Sequence, residues 1–422
     1  MRIALVTHNF PPVVGSMSNW NQQIAELLAS VGHDVTVYHF QNRRYPLPDI
    51  KNIRVKQIRV GKLRAQPGSR GFVYRLWRTF RITVRFLFIL PGLARADLWQ
   101  GSFSEELYLK VLLSLFRFVF RKPLCLAVNS HLFVHTHTGW KAKLRDGAMD
   151  LVLMSTSVII TSGEDLKLNI LQEGIVSKTI KVLLPAVNCS EFHPGVPTGA
   201  FIAALKERSL TLPARPRLMF VGEMTEDNDP FEFLEVGQRF PKCGIVLVGD
   251  GPLKKEVRDR LAPIADHAII AGFIPTWLLP SALAAADVVV LPFARSRGGV
   301  PFQVIQAMAC GKPVVAYEIG HLGAVIEQGA DGILVPQGDR KRLEAEVRRL
   351  LEFPSLCEKM GEAAARKVCK HWDLTHRREE YAKFYREFLD DWKKGLTSAP
   401  GRKAAEAVAT EKSGSPKGPA RR

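Results

Sequence analysis

The chain has 422 residues, 46% of them hydrophobic, and a net charge of +18. That length suits two domains better than one core, and the apolar content is that of a folded soluble protein. The six cysteines, at 125, 189, 243, 310, 357 and 369, form no C-x-x-C pair. Their scatter argues against a zinc site or a disulfide framework and for six reduced, mostly packed thiols.

The charge is local. Residues 41–90 hold 13 Lys/Arg against Asp49, and residues 393–422 hold eight against Glu406 and Glu411. These two blocks account for the whole excess, so they act as devices that favour anionic partners. No recognised nucleic-acid motif accompanies them, so nucleic acid is not expected as a partner. Met1-Arg2 runs straight into an apolar strand, so no secretory signal is read. The run from Phe86 to Ala94 falls short of the roughly 20 residues that cross a bilayer. The expected location is therefore cytoplasmic.

In chain order, residues 3–7 predict a strand and residues 8–19 a loop. Residues 20–31 predict an amphipathic helix with Ile24, Leu27 and Leu28 on one face, and DVTVYHF a second strand. Gly15-Ser16 lies close to the start of that helix, where an anion or sugar can approach, but it is no G-x-G-x-x-G fingerprint. Residues 72–90 predict a helix in which Arg75, Arg78, Arg81 and Arg85 recur every three or four positions beside Trp77 and Phe80. That pattern suits an anionic membrane surface, with Arg75, Trp77, Arg78, Arg81 and Arg85 facing it. The competing reading is a surface helix with a solvated Arg face. After the strand at 123–129, His131, His135 and His137 cluster in an irregular segment whose spacing is poor for a metal, so no metal site is assigned. Ser162 with Asp165 reads as a capping box. Residues 194–217, with four prolines, read as a linker.

From Leu218 strands and helices alternate again, which predicts a second doubly wound domain. Its fullest unit is residues 284–316, AAADVVVLPFARSRGGVPFQVIQAMACGKPVVA. Two buried strands flank a Gly298-Gly299 bend and a helix, so the N–H groups from Val300 to Gln303 are expected to face an anion. Tight turns demanded by the fold are the other explanation for those glycines. From residue 393 on, Gly, Ser, Pro, Ala and Lys dominate, which predicts a disordered basic tail.

The stretch 284–316 resembles the donor-site signature of GT-B glycosyltransferases of the family-4 type (glycosyl transferases group 1), as do GDGPLKKEV and AGFIPTWLLPSALAAADVVVLPF. PPVVGS resembles the family's Pro-Pro loop ahead of Gly-Gly. The resemblance covers roughly residues 1–390 and implies an α/β fold of two doubly wound Rossmann-like domains facing across a cleft. It implies an N-terminal acceptor-side domain (1–193), a linker (194–217) and a C-terminal donor-side domain (218–372). A terminal helix (373–392) crosses back, ahead of the basic tail (393–422). It also implies metal-independent, retaining transfer from a nucleotide sugar, with His131 lining the site near the transferred sugar.

The charged side chains of the signature differ. An Arg position holds Glu223, a Lys position Asn228, and the two Glu positions Gly298 and Gln306. Losing two cations costs roughly 3–6 kcal/mol in donor binding. Arg295 or Arg297 could replace them. The Asp227-Asn228-Asp229 turn could hold Mg²⁺, though a solvated acidic turn is commoner, so no cofactor is expected. Donor contacts are thus expected from Gly15, Ser16, Gly222, Glu223, Asn228, Gly249, Arg295, Arg297, Gly298, Gly299, Val300, Pro301, Phe302 and Gln306. The expected function is a glycosyltransferase of polysaccharide biosynthesis, peripheral at the inner face of the cell membrane, acting on a lipid-linked or cell-envelope glycan acceptor. The alternative is a catalytically silent GT-B protein that binds a partner.

Overall fold

Runs such as Ile3-Ala4-Leu5-Val6 and Val288-Val289-Val290 are buried at every position. A strand apolar on both faces must be covered on both, which is the condition of a parallel sheet between helices. The computed structural model describes residues 1–8, 10, 16–41, 52–60, 72–102, 107–130, 140–172, 179–296 and 298–395. Its elements run β1 (Arg2–Thr7), α1 (Ser16–Ser30), β2 (Asp34–Gln41), β3 (Ile53–Arg59), α2 (Phe72–Arg95), β4 (Leu98–Ser102), α3 (Leu107–Phe120), β5 (Leu124–Val128), α4 (Trp140–Ser155), β6 (Val158–Thr161), α5 (Glu164–Gln172) and β7 (Ile180–Val182). They continue with α6 (Gly199–Lys206), β8 (Arg217–Val221), α7 (Pro230–Gln238), β9 (Gly244–Val248), α8 (Lys254–Leu261), β10 (Ala268–Gly272), α9 (Leu279–Ala284), β11 (Val288–Leu291), α10 (Phe302–Ala309), β12 (Val314–Tyr317), β13 (Ile333–Val335), α11 (Arg340–Glu352), α12 (Pro354–His371) and α13 (Leu374–Lys393).

The strands form two parallel sheets, each flanked by helices, so the expected pair of Rossmann-like α/β domains is present. The first is ordered β3-β2-β1-β4-β5-β6-β7, the second β10-β9-β8-β11-β12-β13. Strand order reverses between β1 and β4 in one and between β8 and β11 in the other. Ligands of such sheets sit beyond the carboxyl ends of the strands at that reversal.

The chain divides into two compact units, one holding Met1–Asn9, Leu28–Leu183 and the chain from Tyr381 on, the other Phe10–Leu27 and Leu184–Glu380. The expected linker, 194–217, falls inside the second unit. Phe201 and Leu205 bury α6 there, and the Phe201 N–H donates to Ser281 Oγ at 3.1 Å. The four prolines around it hid that small helix.

Three local expectations are corrected. Helix α1 starts at Ser16, not at Trp20, with Trp20, Ile24 and Leu28 fully buried. Helix α2 continues through Pro91 to Arg95, past the expected end at residue 90. The cysteines are not all free either: Cys189 and Cys369 form a disulfide, with Cα atoms 5.8 Å apart. Their separation of 180 residues concealed the pair. The same corner is laced by main-chain bonds, Val187 N–H to Trp372 O and Leu374 N–H to Val187 O.

In the second unit α10 packs on α12 through bare backbone. A Cβ on Gly361 would overlap the carbonyl of Gly311, and Gly311 itself is left-handed at φ 69° beside Pro194.

Candidate functional site

The loops at the β8/β11 reversal are built against each other. After β8 come Gly222 and Glu223; after β9, Gly249, Asp250 and Gly251. Gly222 N–H donates to Val248 O and Met224 N–H to Asp250 O, both at 3.0 Å. A Cβ on Gly249, whose φ is 144°, would overlap the Gly222 carbonyl, and one on Gly251 would press on the backbone of Met224. These two glycines are required by loop packing. Gly222 differs: the nearest atoms to a Cβ there are Asn228 Nδ2 at 3.5 Å, Phe220 Cζ at 3.6 Å and Gln303 Nε2 at 3.7 Å, all ordinary contacts. Two side-chain amides therefore flank the open face of Gly222.

Across the reversal, the loop after β11 is tied to the loop after β8. Ala294 and Arg295 donate their N–H groups to the carbonyl of Asp227, at 2.8 and 3.3 Å. Gly298 and Gly299 follow at φ 90° and 68°, left-handed in succession, a bend that side-chain-bearing residues rarely adopt. Pro301 then caps α10. The first helical N–H groups are those of Phe302 and Gln303, which have no acceptor within the helix; that of Val304 turns back to Pro301 O at 3.1 Å. Helix N-termini of this kind favour anions.

The charged groups nearby are largely engaged with one another. Asn228, at the expected lysine position, donates to the carbonyl of Glu223 at 2.7 Å and so closes its own loop. Asp229 caps α7 by accepting from Glu232 N–H at 3.0 Å; burial raises its carboxyl above the usual range, and Glu232 and Glu235 add to that. Arg340 pairs with Glu232 and Glu235, and Tyr317 donates to Glu232 at 2.5 Å. Burial would raise the Glu232 carboxyl, but the bonds from Arg340 and Tyr317 outweigh it and hold it below its ordinary value. At the end of β10, Lys254 and Arg208 converge over Gly272. Lys254 pairs with Asp250 at 2.6 Å, and Arg208 donates to the carbonyls of Ala271 and Phe273.

Of the expected donor contacts, Gly222, Glu223, Asn228, Gly249, Arg295, Gly298, Gly299, Val300, Pro301, Phe302 and Gln306 all lie in the loops beyond β8, β9 and β11 or in α10, in one unit. Val300, Phe302 and Gln306 are buried, and Arg295 is exposed. Gly15, His131 and Arg297 lie outside the described residues, as does the side chain of Ser16. Sequence reading named the N–H of Gln303 but missed its side-chain amide, which lies beside Gly222. The signal was available: Gln303 is the second residue of a helix that opens on a double glycine, aimed back at the loop after β8. The side chains of Arg75 and Arg78 lie outside the described residues, while Arg85 is exposed and Trp77 is half exposed.

Residues 215–352 match the family described as Glycosyl transferases group 1. The alpha-D-kanosaminyltransferase of Streptomyces kanamyceticus is 29% identical over 196 residues, which are 45% of this chain and 50% of that protein. The chain thus spans about half the length of that curated relative. Among solved structures, the sucrose-phosphate synthase from Thermosynechococcus elongatus superposes with a TM-score of 0.72 at 18% identity, over 92% of this chain and 99% of that one. The HepE protein of Anabaena, solved with UDP and glucose, gives 0.72 at 16% identity over 91% and 98%.

Proposed function

We infer that this chain, whose residues 215–352 carry the glycosyl transferases group 1 module on a GT-B framework of two Rossmann-like domains, is a glycosyltransferase. It takes a nucleotide-diphosphate sugar as donor and transfers the sugar with retention to a hydroxyl of a lipid-linked or cell-envelope glycan, at the cytoplasmic face of a membrane. The bond from the anomeric carbon to the diphosphate oxygen breaks, and the acceptor oxygen bonds to the same face while its proton leaves with the diphosphate.

One observation carries the reading: Gly222, the helix start at Phe302 and Gln303, and the amides of Asn228 and Gln303 converge at the sheet's reversal. Neutral hydrogen bonds contribute about 0.5–1.5 kcal/mol each, against about 1.5–3 for charged ones. Donor affinity is therefore lower than two cations would give, and less sensitive to salt. The test is thermal stability of the full chain titrated with UDP-, GDP-, ADP- and dTDP-sugars, with and without Mg²⁺. An upward shift with one nucleotide, reduced in Gln303→Ala, supports the site; no shift with any donor sinks it.

The loop clasp between Asn228 and Glu223 favours one further reading, a silent protein that binds a nucleotide without turnover. Release of free nucleotide diphosphate in the presence of an acceptor extract separates the two.

A further inference from the structure

Helix α2 has two apolar faces. Ile82, Phe86, Ile89 and Leu93, spaced four, three and four apart, are buried against the first sheet. On the opposite side Trp77, Phe80 and Phe88 stand in the open, with Phe88 74% exposed. By helical spacing Arg81 and Arg85, half-buried and exposed, fall between the two faces. Helix α3 packs beside α2, with the rings of Phe86 and Phe116 5.6 Å apart, and it repeats the pattern. Its Leu109 and Leu113 are buried, while Phe118 and Val119 are 61% and 73% exposed. Neither helix contains an Asp or a Glu.

An apolar strip this bare on adjacent helices marks a surface with an occupant. Its bordering arginines choose among occupants. A second copy would set like charges against each other, which disfavours pairing. An anionic bilayer suits both features: aromatic rings enter the boundary between headgroups and chains, and the arginines reach the phosphates.

We propose that α2 and α3 together form the face by which this protein lies on an anionic membrane, with Phe80, Phe88, Phe118 and Val119 inserted and Arg81 and Arg85 at headgroup level. This deepens the membrane part of the function inferred above and needs no turnover for its test. The full chain is mixed with phosphatidylcholine vesicles, with and without phosphatidylglycerol, and co-flotation is measured. Binding is expected only with the anionic lipid. Phe80→Glu/Phe88→Glu, a change at exposed positions, reduces the partition coefficient about tenfold or more. Arg81→Gln/Arg85→Gln reduces it on anionic vesicles, and Trp277→Glu, exposed in the other unit, leaves it unchanged. Near-ultraviolet circular dichroism verifies folding of each variant. The proposal is overturned if the chain never floats, if it floats equally on neutral vesicles, or if Phe80→Glu/Phe88→Glu floats like the parent. Light scattering that shows a dimer dissolved by Phe88→Glu, without vesicle binding, assigns the face to a second copy. A chain that floats yet responds to no nucleotide sugar keeps this proposal and removes the preceding one.

Discussion

Gly222 and Gly249 look alike in sequence, each closing a strand, yet they answer to different demands. Ala at 249 collides with a main-chain carbonyl at a φ of 144°, so Gly249→Ala is expected to cost more than about 2 kcal/mol of unfolding free energy. Ala at 222 meets only ordinary contacts, so Gly222→Ala should change stability by less than about 0.5 kcal/mol. It should instead weaken donor binding by about tenfold, because the methyl occupies the space between the Asn228 and Gln303 amides. Urea denaturation and nucleotide titration on the two variants check both halves. The sequence alone left turn and site as rival explanations for such glycines, since only the neighbouring loop decides. Asn228 was legible as a departure from a motif but not as a clasp, because its partner is a backbone carbonyl, which no residue type reveals.

At the scale of elements, α7 and α11 are joined by Glu232, which accepts from Arg340 and Tyr317. The Glu232 carboxyl is held below its ordinary value of 4.5 in the folded chain. Its contribution is therefore present above that value and lost as pH falls through the lower folded one. Removing the carboxylate with Glu232→Gln should flatten the acid limb of a stability-against-pH curve. Arg340→Met should cost about 1.5–3 kcal/mol at neutral pH by leaving a largely buried carboxylate with Tyr317. Denaturation midpoints across pH measure both. Strands were the most legible elements, since runs such as VVVL admit little else. Helix ends were less so: α2 runs past residue 90 despite Pro91, with Leu93 beyond it buried against the sheet, and α6 was hidden among prolines. The second apolar face of α2 was visible as residue types. That it lies bare could be known only once Ile82, Phe86 and Ile89 were seen to satisfy the sheet.

For the molecule as a whole, the two sheets follow from alternating periodicity, whereas the allocation of chain to each unit does not. Residues 194–217 belong to the second unit, and the chain from Tyr381 returns to the first. The link between Cys189 and Cys369 closes 180 residues of that second unit. Alkylation of the unfolded, unreduced chain should label four thiols, and six after reduction. Cys189→Ser should cost about 3–5 kcal/mol in the oxidised protein, the scale for closing a long loop. Finally, the tight backbone crossing of Gly311 on Gly361 changes what the run Ala-Met-Ala-Cys-Gly-Lys-Pro can tell a reader of genomes. That string is kept in place here by the seating of one helix on another, so it persists whether or not the protein turns over a sugar. Searches that key on it will gather working and idle chains alike; screening instead on the residues opposite Gly222 would sort them.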